Sequence, residues 1–321
     1  MNAQAPPPGI RPPSIRDYAS DKRRGGTSIL PGSRGTIWAR YEAGTLLRLP
    51  TFRTTPPAPG EVRRALWRGP ATAASFVVEP DERHPANAWL YLCTDRAYTL
   101  EKLSHSMRKN VRRGLKELRV TPLDRDQLLA HGAQAFCDTR RRVGLDDGTP
   151  DEFRRRYAGR AAVGQVFLGA WKDDQLAAFL SMTAVEEWVE INGWCSMDTW
   201  LHLRPNDTLM YSALAHYLTE TGCRVVSDGL SSIQATTSEA GLHAFKTKIG
   251  FEARPVHRAF VLHPLARPLA NRATLWALRT ALRLRPGDRR LKKAEGLLTY
   301  ILGDSRLPAP PSERSPGGRS R

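Results

Sequence analysis

Three apolar runs, residues 164–171, 175–185 and 188–195, follow one another across the short polar breaks Lys172-Asp173-Asp174 and Glu186-Glu187. Breaks of that length make hairpin turns and are too short for a crossover, so the runs pair as three successive antiparallel strands. This meander excludes an all-helical chain and an all-parallel doubly wound sheet, and the rest of the chain has to be placed around it. Before it, the spacing predicts a helix over 126–142, with Leu128, Leu129, Ala133, Phe136 and Val143 inward, then a short helix from Asp151. After it come an amphipathic helix over 207–221 that ends at Gly222, a strand from Arg224, a helix carrying Lys246, and a last strand over 258–262.

The chain ahead of residue 124 is sparser in such signals. Residues 36–49 read as a hairpin about a Gly44 turn, closed off by Pro56-Pro57-Ala58-Pro59-Gly60, and residues 73–78 and 88–93 read as two further strands. A helix capped by Thr99 follows, with Leu100, Leu103, Met107, Val111, Leu115 and Leu118 as one stripe. Its other face holds Lys102, Arg108, Lys109, Arg112, Arg113 and Lys116. That face is either a solvated surface or a phosphate-binding one, since guanidinium groups suit bidentate anion contacts.

The 321 residues carry a formal charge of +17, which would suggest nucleic acid if it lay on the core. Residues 1–35 hold six basic and two acidic residues, and residues 266–321 hold thirteen and four. The remaining residues, 36–265, hold thirty basic and twenty-six acidic ones, so the excess belongs to the ends. Residues 1–35 and 308–321 are expected to be disordered, because they offer few large apolar side chains to offset the entropy of ordering. Two amphipathic helices are expected over 268–284 and 288–302, packed on the core or laid weakly on a membrane surface or other polyanion. The four cysteines are far apart, with no metal or disulfide pattern, which fits a reducing cytoplasm and no bound metal.

Two motifs resemble one family. Asp228-Gly229, a polar loop, then Gly241-Leu242-x-x-Phe245-Lys246-x-x-x-Gly250-Phe251 is similar to the C-terminal signature of Fem-type acyltransferases of the GNAT superfamily. The segment Ser104-x-x-x-Arg108-x-Asn110-Val111-Arg112-Arg113-Gly114 is similar to the basic helix that closes their first subdomain. The resemblance implies a mixed α/β (α+β) GNAT fold in two halves, 36–123 reduced and 124–265 complete, with 266–307 as appended helices. It also implies transfer of an acyl group from a thioester, acyl-CoA or an acyl carrier, to a small-molecule or cell-envelope amine, with acyl-CoA as cosubstrate and no tightly bound cofactor. Direct attack by the amine then needs a proton acceptor and stabilisation of charge on the acyl oxygen.

The candidates for these roles are Glu190, Asn192 and Trp194 on the third meander strand, Asp228 at a strand end, Tyr211, and the Phe245-Lys246 pair. Lys246 is expected as an exposed lysine reaching into the cleft toward a donor phosphate or the oxyanion. Arg108 and Arg112 are candidates for substrate contact. The glycine-rich phosphate loop of acyl-CoA-binding GNAT enzymes is absent: Leu203-Arg204-Pro205-Asn206-Asp207-Thr208 stands there, leaving Arg204, Asn206 and Thr208 as donor-binding candidates. Two alternatives stay open, an aminoacyl-tRNA-dependent peptidyltransferase acting on a cell-wall precursor and a non-catalytic binding protein on the same scaffold.

Overall fold

A computed structural model describes residues 12–41, 44–145, 148–159, 162–231, 239–286 and 288–303. Among them, strands β1 (Ile29–Pro31), β2 (Ile37–Tyr41), β3 (Thr45–Leu49), β4 (Ala73–Val78), β5 (Ala88–Cys93), β6 (Arg119–Leu123), β7 (Gln165–Lys172), β8 (Gln175–Val185), β9 (Trp188–Ser196), β10 (Val225–Leu230) and β11 (Glu252–Leu262) form one sheet. Its order is β1-β2-β3-β4-β11-β5-β10-β9-β8-β7-β6. The expected meander is β7-β8-β9, antiparallel throughout. The hairpin about Gly44 is β2-β3.

β11 joins the two ends of this sheet. Its first residues, Glu252 to Val256, pair with β5, and His257 to Leu262 pair with β4. The expected strand over 258–262 is therefore only the second half of β11; Arg254-Pro255 hid the first half. β5 stands between β10 and β11, so strands from both expected halves alternate in a single sheet.

Helices cover both faces. α3 (His105–Glu117) and α7 (Pro205–Ala215) bury Met107, Val111, Leu209, Met210 and Leu214 with Leu180, Met182, Val189 and Ile191. The two helices touch closely: a Cβ on Gly114 would lie 1.8 Å from Thr208 Oγ1. α4 (Arg125–His131), α5 (Ala133–Arg142) and α6 (Pro150–Tyr157) gather Leu128, Phe136 and Phe153 against Phe167, Trp171 and Phe179. Residues 126–142 are thus two helices, broken at Gly132, where a Cβ would sit 2.7 Å from the Leu128 carbonyl. The basic helix is capped by Ser104, whose hydroxyl accepts from Met107 N, while Leu100–Lys102 make a separate 3-10 turn after Thr99.

The expectation of disorder over 1–35 is corrected for residues 14–31; residues 1–11 lie outside the described ones. α1 (Ile15–Arg24) opens on a capping box between Ser14 and Asp17 and buries Tyr18 and Ala19 with Ile29, Val185 and Trp188. Asp21 accepts from Val163 N at 2.9 Å. Three buried side chains in a basic segment were enough to seat it. α2 (Glu61–Arg68) packs Leu66 and Ala65 against Trp38 and Leu46. α8 (Glu239–Lys248) precedes β11, and α9 (Arg272–Leu284) and α10 (Arg289–Ile301) follow it after a 3-10 turn at Pro264–Leu269. The 308–321 tail lies outside the described residues.

Candidate functional site

β9 and β10 are parallel and pair at three positions only, ending at Glu190 opposite Ser227. Beyond that rung β9 continues along β8 through an irregularity near Asn192, while β10, already paired with β5 at Val226 and Ser227, stays with that strand through a register shift to Leu230. Gly229, at φ 67°, makes the departure possible, because a side chain there would be strained. The parted strands leave the backbone of β9 after Glu190 without a strand partner on that side, among the described residues. Asp228, the first residue past the last rung on β10, sits at the mouth of this gap.

Lys246 comes to the same place from α8. Its Nζ lies 3.2 Å from Asp228 Oδ2 and donates to the Asp228 carbonyl oxygen at 3.0 Å. It also sits 4.2 Å from the centroid of the Tyr91 ring. Both side chains are 5% exposed, which corrects the expectation of an exposed lysine. Burial raises the Asp228 carboxyl to about 6, opposed by Lys246, and lowers the Lys246 ammonium, opposed by Asp228. One residue earlier, Phe245 packs on Trp194 with ring centroids 5.9 Å apart, bridging α8 and β9 across the gap.

Glu190 occupies the last rung, partly buried. Burial pushes its carboxyl up to about 7 against a hydrogen bond donated by the Thr51 hydroxyl, and the Asp228 charge raises it further. Tyr18 of α1 is close enough to feel the Glu190 charge. Sequence reading missed Thr51 and Tyr18, which no local motif marks. It also missed His243, whose Nδ1 is 2.9 Å from the Tyr91 hydroxyl. Its place one turn before Lys246 on the same helix was the available signal.

The other candidates stand elsewhere or do other work. Asn192 is exposed and donates to Thr183 Oγ1 at 2.9 Å. Tyr211 lies on the α3 side, its ring 5.7 Å from that of Tyr98, and lines a cavity of about 1290 Å³ between α3, α7 and β6-β7. That cavity has neither Glu190, Asp228 nor Lys246 in its wall. Arg112 is exposed, 3.9 Å from Glu101, and Arg108 is partly buried. Ahead of α7, Arg204 is exposed at φ 62°, and Asn206 donates to Ser196 Oγ. Thr208 is fully buried, donates to the Arg204 carbonyl and packs on Gly114. Asp207 accepts from Asn110 at 2.8 Å, so the acid that would compete with a phosphate is tied to α3. Among the described residues no group of three metal-ligating side chains forms, and no helix is long and apolar enough to cross a membrane.

A parallel pair that parts beside a three-strand meander, backed by a helix on either strand, defines the GNAT fold, and the chain is similar in fold to FemX. The crystal structure of FemX superposes with a TM-score of 0.53 at 12% identity, over 79% of this chain and 93% of that one. A conserved protein of unknown function from Bacteroides thetaiotaomicron gives 0.50 at 10% identity, over 77% and 91%. A tandem GNAT protein from the clavulanic acid biosynthesis pathway gives 0.42 at 13% identity, over 81% and 90%. No family model and no curated protein matches the chain.

Proposed function

We propose that this protein is an acyltransferase that moves an acyl group from an activated donor to an amine by direct attack. The observation that supports this reading is the gap opened where β9 and β10 part, with Glu190 on its last rung and the Asp228–Lys246 pair at its mouth. Backbone N–H groups of β9 past Glu190 receive the acyl carbonyl and stabilise the oxyanion as the amine adds. Glu190, with a pKa of about 7, takes the proton from the attacking ammonium, and collapse of the adduct breaks the bond between the acyl carbon and the donor, which leaves as its anion and is protonated from solvent. Lys246 donates one hydrogen bond to the Asp228 carbonyl, forms an ion pair with its carboxylate and has the ring of Tyr91 beside it, so it acts as a positioning residue that holds α8, and with it Phe245, over the gap.

A thioester, acyl-CoA or an acyl carrier, is the proposed donor, since residues 36–265 are nearly charge-balanced. Its phosphates would meet the first turn of α7 and Arg204, where no side chain caps the helix. One observation favours aminoacyl-tRNA as a second reading: Lys109, Arg112, Arg113 and Lys116 form an exposed basic row on α3. The full-length protein incubated with a panel of amines and either acyl-CoA or aminoacyl-tRNA, read by mass spectrometry, decides both points. An acylated amine formed with CoA supports the first reading, and one formed with tRNA alone the second. Failure of both donors across the panel would leave a binding protein on this scaffold.

A further inference from the structure

Five of the large apolar side chains exposed among the described residues are Trp67, whose ring meets His263, and Leu265, Leu269, Trp276 and Leu284 along the segment that follows His263. Trp276 is 70% exposed, Leu265 77% and Leu284 81%, although α9 is a well-formed helix with Leu275 buried on its inner side. α9 is held to the body through α10, whose Tyr300 packs on Phe260 of β11 and donates to the Asn87 carbonyl. Its outer face is therefore presented outward by a fixed base.

That face has a specific composition. At helical spacing Trp276 is flanked by Arg272 one turn before and by Arg279 and Arg283 one and two turns after, all exposed. Arg279 pairs with Glu295, leaving Arg272 and Arg283 beside the indole. From His263 to Pro286 there are five arginines and no acidic residue. α2 repeats the pattern, with exposed Trp67 one turn after exposed Arg63 and Arg64, and the Trp67 ring lies 4.6 Å from that of His263 at the entry to α9.

We propose that this surface docks on an anionic lipid bilayer, with Trp67 and Trp276 at headgroup depth, the leucines at the acyl boundary and the arginines on lipid phosphates. An indole between guanidinium groups matches the interfacial zone, where an amphipathic ring and a basic rim are both favoured. RNA would use the arginines but gain nothing from Leu265, Leu269 and Leu284, which is why the lipid surface is favoured over a polynucleotide.

Sedimentation of the full chain with vesicles of phosphatidylcholine and phosphatidylglycerol (7:3) tests this against pure phosphatidylcholine, at low and high salt. Binding should require phosphatidylglycerol and weaken with salt. Arg272→Gln with Arg283→Gln should weaken it roughly thirtyfold, and Trp276→Ser should weaken it while leaving the melting temperature unchanged. A blue shift in wild-type tryptophan emission on binding should shrink in Trp276→Phe. Absence of vesicle binding, binding indifferent to these substitutions, or displacement from vesicles by tRNA through the same arginines would overturn the proposal.

Discussion

Lys246 Nζ and Asp228 Oδ2 lie 3.2 Å apart, both all but sealed from solvent, one from α8 and one from the end of β10. A buried pair is costly to break from one side, because the survivor is left as an uncompensated charge. Lys246→Ala should therefore destabilise the protein by about 3–5 kcal/mol, while exposed Lys248→Ala should shift it by less than ~0.5 kcal/mol. Urea unfolding of the two variants measures this. Equal midpoints would mean that the pair is not formed in solution.

Glu190 gives a prediction in pH. If it accepts the ammonium proton, turnover should rise with pH to a plateau above about 7, and Glu190→Gln should lose roughly two to four orders of magnitude along with the inflection. Stability should run the other way. The folded pKa of about 7 lies above the ordinary 4.5, so the folded state keeps a proton that the unfolded chain releases between those values. The resulting stabilisation is complete below pH 4.5 and lost as pH rises through 7. Allowing for partial exposure, Glu190→Gln should gain about 1–2 kcal/mol at pH 8 relative to wild type. A variant whose stability tracks wild type from pH 5 to 8 would place Glu190 in water.

What could be read from sequence was local. Ala73–Val78, Ala88–Cys93 and Gln175–Val185 are strands where alternation and turn residues put them, since both signals reside in a few neighbouring residues. The site splits along the same line. Lys246 and Asp228 share one motif eighteen residues apart, and the structure joins them. Thr51 reaches Glu190 across 139 residues, and β5 enters between β10 and β11 from far upstream, relations that no local pattern encodes. The burial of Lys246 was equally invisible, because what covers it is the Tyr91 ring from β5.

Gly114 tests the α3–α7 contact on which the basic helix depends. Gly114→Ala forces a Cβ against Thr208 Oγ1 and to 3.1 Å from the Leu203 carbonyl, so it should cost about 1–3 kcal/mol through overpacking. Thr208→Ala in the same chain should recover part of that cost by removing the hydroxyl. Thermal unfolding of the single and double variants checks the coupling; strict additivity would show that the helices are not in this contact.

Tyr18 ties the stability of α1 to the chemistry of Glu190. The ring is buried with Trp188 and Val185, and its hydroxyl is pushed up to about 12 first by burial and then by the Glu190 charge. Tyr18→Ala should cost about 2–5 kcal/mol as a large-to-small change in a packed cluster. It also admits water to the side of Glu190 that α1 covers. Desolvation is the main cause of the raised Glu190 pKa, so hydration should bring it back toward 4.5 and move the inflection of the pH–rate profile to lower pH. The two readouts separate the possibilities: a lower melting temperature with an unmoved inflection means that α1 is structural only, and an unchanged melting temperature means that α1 does not pack on the sheet at all.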